Sequence, residues 1–291
     1  MDALAAETTL PRTPRRFHRS LPATLVCGAI LLLVIIGLAA AAPWIAPYPY
    51  DEMSIMARLK PPSGAHWFGT DEFGRDVLTR VLIGARATLY MGFGATAFSL
   101  LIGVPLGLVA GYARGRVDEA IMRTADVLLS FPPILLGLLV LAVTTPALWK
   151  AIVAVGVVYI PPMVRIARSA TLNVAQEEFI LAARARGDGA WYILIAEILP
   201  NAWPPIAVEA SLRVTFAILL GAALSFLGMG AQPPTADWGL MISEARAFVE
   251  RAPWITLAPG IAMCVTVIAV NLIGDGLREV LDPRMRRRRV S

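Results

Sequence analysis

The chain has 291 residues, of which 57% are hydrophobic and 16% charged, with a mean hydropathy of +0.66 and a formal charge of +5. That balance excludes an ordinary soluble domain and requires a bilayer as the main solvent. The positive charge does not mark a nucleic-acid surface, because the arginines gather at the ends of apolar stretches, where they set topology and meet anionic lipid headgroups.

Six windows approach the roughly 20 apolar residues that a spanning helix needs. Residues 1–20, rich in Arg, Thr and Pro, read as a cytoplasmic tail. Residues 21–45 carry no charge and form the first predicted span, too long for the core of a signal peptide and therefore uncleaved. An extracytoplasmic segment, 46–86, follows. It is extended through Ala46-Pro47-Tyr48-Pro49 and Pro61-Pro62-Ser63-Gly64, and helical from Asp71, where Phe73, Val77, Leu78, Val81 and Leu82 recur on one side. Arg75, Asp76 and Arg80 fall elsewhere on the circumference, which predicts an interfacial helix feeding the second span, 87–112. In that span Gly103, Gly107 and Gly111 lie four apart, a small-residue stripe for close helix packing.

Spans three (127–145) and four (147–164) share an apolar region divided by Thr144-Thr145-Pro146, a tight outside hairpin from which Lys150 snorkels. Phe131-Pro132-Pro133 and Ile160-Pro161-Pro162 predict kinks. Span five, 206–229, carries Glu209 and Arg213 four residues apart near its inner end, an intramembrane ion pair with a structural or gate-adjacent role, or else a proton relay. Span six, 255–273, is expected to end at Gly274-Asp275-Gly276. Residues 87–277 thus form a five-helix core, and 278–291, with Arg286 to Arg289, a basic cytoplasmic tail. With both termini inside, seventeen Lys and Arg lie on the inner side and eight on the outer.

Much local chemistry is missing. Lys60 and Lys150 are followed by Pro and Ala, so no GxxxxGK[ST] phosphate loop exists, and neither HExxH nor GxSxG occurs. His18 and His66 lie outside the spans, and Cys27 and Cys264 inside spans one and six suit neither a disulfide nor a metal. The chain is therefore expected to bind no metal or cofactor and to catalyse no covalent reaction.

The charged loop between spans four and five, 173–201, is the candidate point of contact with another subunit. Asn173 and Gln176 are spaced as a capping box, and 175–186 predicts about three helical turns. Gly187 and Gly189 end that helix, 190–199 supplies a second one, and Pro200 and Pro204 mark the return to the membrane.

This loop resembles the EAA loop of ABC importer permeases, with Ala182, Ala183, Gly187, Leu199 and Pro200 at the family spacing, while Leu181 stands where the glutamate is usual and Glu197 where isoleucine is usual. Three further segments are similar to the dipeptide, oligopeptide and nickel branch, C-type subunit. They are His66 to Leu78, Leu224 to Gly239 and Asn271 to Arg284. The resemblance implies an all-α integral membrane protein of a bacterial inner (plasma) membrane with six transmembrane helices, the ABC type I importer permease fold, both termini cytoplasmic. It implies a homologous second permease as partner, two cytoplasmic ATPase subunits that use ATP and Mg, and an extracytoplasmic substrate-binding protein. The loop would be the coupling helix, with Ala182 and Ala183 allowing close approach to the ATPase, Gly187 making the turn, and Glu178, Arg184 and Arg186 at the rim. Peptide is favoured over nickel as cargo because no His or Cys cluster suits a metal. The alternatives are a stand-alone ion-coupled carrier or channel centred on Glu209 and Arg213, and a scaffold subunit.

Overall fold

The computed structural model describes residues 21–281, so the predicted tail 1–20 and the arginine run 286–289 lie outside the described residues. The helices are α1 (Ala23–Ile45), α2 (Val77–Ala113), α3 (Gly115–Leu129), α4 (Pro133–Leu141), α5 (Leu148–Val174), α6 (Glu178–Ala185), α7 (Ala190–Tyr192), α8 (Leu199–Phe226), α9 (Trp238–Ala245) and α10 (Trp254–Leu281). Among the described residues five helices are long and apolar enough to cross a membrane, or six if the bent pair α3–α4 counts as one span.

Small residues decide the packing. A Cβ on Gly103, Gly107 or Gly111 of α2 would lie 2.8, 2.5 and 2.7 Å from the Cβ of Met163, Ala167 and Thr171 respectively, so two helices in register four apart bring their backbones together. On the other side of the bundle Gly28 of α1 meets Ala269 and Ile273 of α10, and Gly276 of α10 meets Leu25. Pro43 leaves the Ala39 carbonyl of α1 without its helical donor, and Arg86 of α2 fills the vacancy, its Nε donating to Ala39 O at 2.7 Å.

Four expectations are corrected. The predicted interfacial helix is the first part of α2, unbroken from Val77 to Ala113, and Arg75 and Arg80 are among the most enclosed side chains, at 2% and 1% exposure. The cause is tertiary, since α9 covers this stretch and Trp238 Nε1 donates to Val81 O at 2.9 Å. Predicted span three is not one helix, because α3 and α4 meet at 94° across Ser130 to Pro132, where two successive prolines remove the amide donors. Pro200 and Pro204 do not interrupt the chain's return to the membrane, since Ala190–Phe226 is one continuous helix. A π-helical stretch, Ile193–Ile198, directly before Pro200 gives its ring room, with Leu199 N–H reaching back to Leu194 O. Finally, α10 passes through Gly274 and Gly276, whose missing side chains admit Ser211 and Leu25 rather than ending the helix.

The loop-rich end of the bundle is closed by a buried ionic cluster. Asp71 Oδ2 accepts from Arg75 Nε at 2.5 Å, and Glu244 Oε2 accepts from Arg75 Nη2 at 2.9 Å and Arg80 Nη2 at 3.3 Å. Glu72 is the surplus acid: Arg75 approaches Oε1 only to 3.8 Å, and Oε2 is buried without a partner. Burial, reinforced by Asp71 and Glu244 and opposed by a backbone hydrogen bond and Arg75, holds the Glu72 carboxyl above its ordinary pKa of 4.5. A raised folded-state pKa contributes stability that is complete below pH 4.5 and is lost as pH climbs through the folded value. Glu72→Gln should therefore raise the melting temperature of the detergent-solubilised protein by a few degrees near pH 8 and hardly change it near pH 4.5. An equal change at both pH values in a thermal unfolding assay would refute the assignment.

Candidate functional site

At the opposite end, α5 closes at Val174 and a turn of Gln176 N to Asn173 O and Glu177 N to Val174 O leads into α6. Asn173 sits inside α5 and Glu177 is the residue before α6, without a side-chain cap, so the predicted capping box is absent and α6 has two turns instead of three. Its other end is a Schellman motif. Gly187, at φ +85°, donates to Arg184 O at 3.0 Å, and Asp188 donates to Ala183 O at 3.2 Å. Arg186 Nη2 donates to Asp188 Oδ2 at 2.7 Å across the same turn.

The sequence EFILAARA is amphipathic over two turns, and the faces sort by register. Ile180 and Ala183 are fully buried in a cluster with Ala167, Ala170, Ile193, Leu194 and Ile198, which fastens α6 to α5 and to the foot of the helix leading into α8. The Arg184 guanidinium lies 4.7 Å from the Tyr112 ring, a third tether to α2. Ala183 is thus turned into this chain and cannot be an approach point for a partner; of the two alanines only Ala182 faces outward. Glu178 and Gly187 are exposed, as is Pro200, while Leu199 is half-buried in the continuous helix.

Sequence reasoning missed the apolar content of the outward face. Phe179 and Leu181 on α6, and Trp191, Tyr192 and Ile195 beyond the turn, are all exposed. Once packing buries Ile180 and Ala183, the helical register turns Phe179, Leu181 and Ala182 outward. The result is an apolar knob with acidic and basic residues at its edge, suited to insertion into a groove on another protein.

Within α8, Arg213 Nε donates to Glu209 Oε1 at 2.6 Å and Nη2 donates to the same oxygen. The guanidinium lies 5.5 Å from the Tyr159 and Phe216 ring centres, and Tyr159 Oη donates to Phe216 O at 3.1 Å. No group of three or more His, Cys, Asp or Glu able to hold a metal occurs among the described residues.

Residues 103–287 match the family described as binding-protein-dependent transport system inner membrane component, and residues 15–62 match the N-terminal TM domain of oligopeptide transport permease C. The chain belongs to this family of ABC importer permeases. The permease is 44% identical over 261 residues to the dipeptide transport system permease protein DppC of Alkalihalophilus pseudofirmus, covering 90% of this chain and 86% of that one. It is 41% identical over 281 residues to the glutathione transport system permease protein GsiD of Pectobacterium atrosepticum, covering 94% and 93%. Its fold is that of a chain of the MetNI methionine ABC transporter in inward-facing conformations, with TM-score 0.61 and 20% identity over 70% of this permease and 97% of that chain. The protein is accordingly an all-α, multi-pass transport subunit of the bacterial inner membrane with a type I ABC importer permease fold, and not itself a catalytic enzyme.

Proposed function

We propose that this permease forms half of the translocation path of an ATP-driven importer of dipeptides or oligopeptides. A homologous second permease supplies the other half, two ATPase subunits dock from the cytoplasm, and a substrate-binding protein delivers cargo from outside. The bias of Lys and Arg supports this orientation, with both termini and α6 cytoplasmic and the cluster of Asp71, Arg75, Arg80 and Glu244 extracytoplasmic. The dipeptide and glutathione assignments of the two relatives support the cargo class.

The observation that carries the coupling role is the outward face of α6, apolar at Phe179 and Leu181, flat at Ala182 and fixed from behind by Ile180 and Ala183. Glu178, Ala182, Arg184 and Gly187 form or frame that contact; Leu199 and Pro200 belong to the helix it would drive. Leu181→Arg should lower ATP-driven peptide uptake in proteoliposomes at least tenfold, the loss expected when about 1.4 kcal/mol of contact is removed. Its amount in the membrane should stay that of the parent. A cysteine at Ala182 should crosslink to the ATPase subunit, and uptake undiminished in the arginine variant would sink the proposal. Reconstituted alone with an ion gradient, the permease should transport nothing, in contrast to a stand-alone carrier.

A further inference from the structure

Glu209 and Arg213 sit in a membrane-spanning helix yet keep 14% and 20% of their side-chain surface exposed. Val214 and Ile218, across the helix from Glu209, are buried in the bundle. By contrast, α1 has no charged residue, and its exposed positions include Ile30, Leu33 and Val34. A charged pair turned to hydrocarbon is costly, so the α8 face with Glu209, Leu212, Arg213 and Phe216 must meet water or protein. Protein is the poorer cover. Both guanidinium hydrogen bonds end on Glu209 Oε1, and a partner surface that lacks a donor would strand Oε2 unsatisfied.

We propose that Glu209 and Arg213 line the water-filled path and receive the charged ends of a zwitterionic cargo, an inference whose cargo class rests on the peptide reading above. Arg213, held between Tyr159 and Phe216, takes the cargo carboxylate, and Glu209 offers its uncommitted Oε2 to the cargo ammonium. Without cargo the two side chains neutralise each other. With cargo they exchange one ion pair for two, so net charge in the path stays at zero throughout and neither group is left uncompensated.

Two measurements test this in the complete transporter. With Cys27 and Cys264 replaced by alanine, Phe216→Cys should react with a membrane-impermeant thiol reagent in at least one of the ATP-free and ATP-bound states, whereas Leu33→Cys should not. Absence of labelling at Phe216 in both states overturns the water-lined assignment, whatever the cargo. The second measurement is uptake of a free dipeptide by Glu209→Gln/Arg213→Gln. This double variant removes both charges together and leaves no lone buried ion, so a purely structural pair predicts parental uptake. Cargo contact predicts an assembled transporter whose uptake is at least tenfold lower, with KM raised. Parental uptake, or failure of the double variant to assemble, overturns the proposal. Failure of the parent to carry any peptide would instead remove the cargo class and leave the labelling result standing.

Discussion

Replacing Gly187 with valine is expected to cut ATP-driven uptake at least tenfold while leaving the amount of permease in the membrane unchanged. A Cβ at this position would meet no atom within 4 Å, so the substitution introduces no clash. The whole effect comes from the backbone, which stands at φ +85°. A β-branched residue there costs at least about 1–2 kcal/mol, enough to open a turn held by two hydrogen bonds. Losing Gly187 N to Arg184 O and Asp188 N to Ala183 O would leave α6 joined to the next helix by a slack connection. A series should grade the result: asparagine, which tolerates the left-handed region, closest to parent, alanine between, valine lowest. Uptake normalised to permease content in vesicles gives the reading, and parental uptake by the valine variant would refute a coupling role for this turn.

The largest effect on assembly should come from Gly107→Leu. A Cβ there would stand 2.5 Å from Ala167 Cβ, 2.6 Å from Val164 O and 2.9 Å from Arg168 N. Two of those three atoms are backbone, which no rotamer change can move aside. Helices α2 and α5 must separate, at a cost of roughly 1–3 kcal/mol or more, and the neighbouring contacts at Gly103 and Gly111 loosen with them. The expected outcome is at least a tenfold loss of monodisperse protein in detergent. Gly37→Leu and Gly260→Leu provide the control, since an added Cβ at either site meets nothing within 4 Å. Equal yields of the Gly107 and Gly37 variants would show that the glycine stripe does not hold the pair.

What could be read from the sequence was what depends on near neighbours. The spans at α1, α2, α5, α8 and α10 follow from apolar length. The ion pair of Glu209 and Arg213 follows from i, i+4 spacing, and the turn at Gly187 from its residue type. Arg75 and Arg80 were misread as a polar helix face because their partner, Glu244, lies 169 and 164 residues away. Helical periodicity carries no record of α9 folding over that face. The alanine pair shows the same limit at short range, since only the packing of α6 on Ile193, Leu194 and Ile198 tells Ala183 from Ala182. Proline was a sound signal at one pair and not at another. At Pro132 and Pro133 it bends the chain through 94°, whereas at Pro204 and Pro205 the helix continues. Pro161 and Pro162 likewise lie inside the continuous α5, so proline alone does not decide between a bend and a helix that continues.

The continuous helix from Ala190 to Phe226 joins the α6 turn to the segment before α9. Its 37 residues span roughly 55 Å, and a tilt of about 10° about the centre would carry each tip roughly 5 Å in opposite directions. Residue 208 is the midpoint, one position from Glu209. In such a tilt the ion pair would turn without travelling, while α6 would swing at one tip and the segment before α9 at the other.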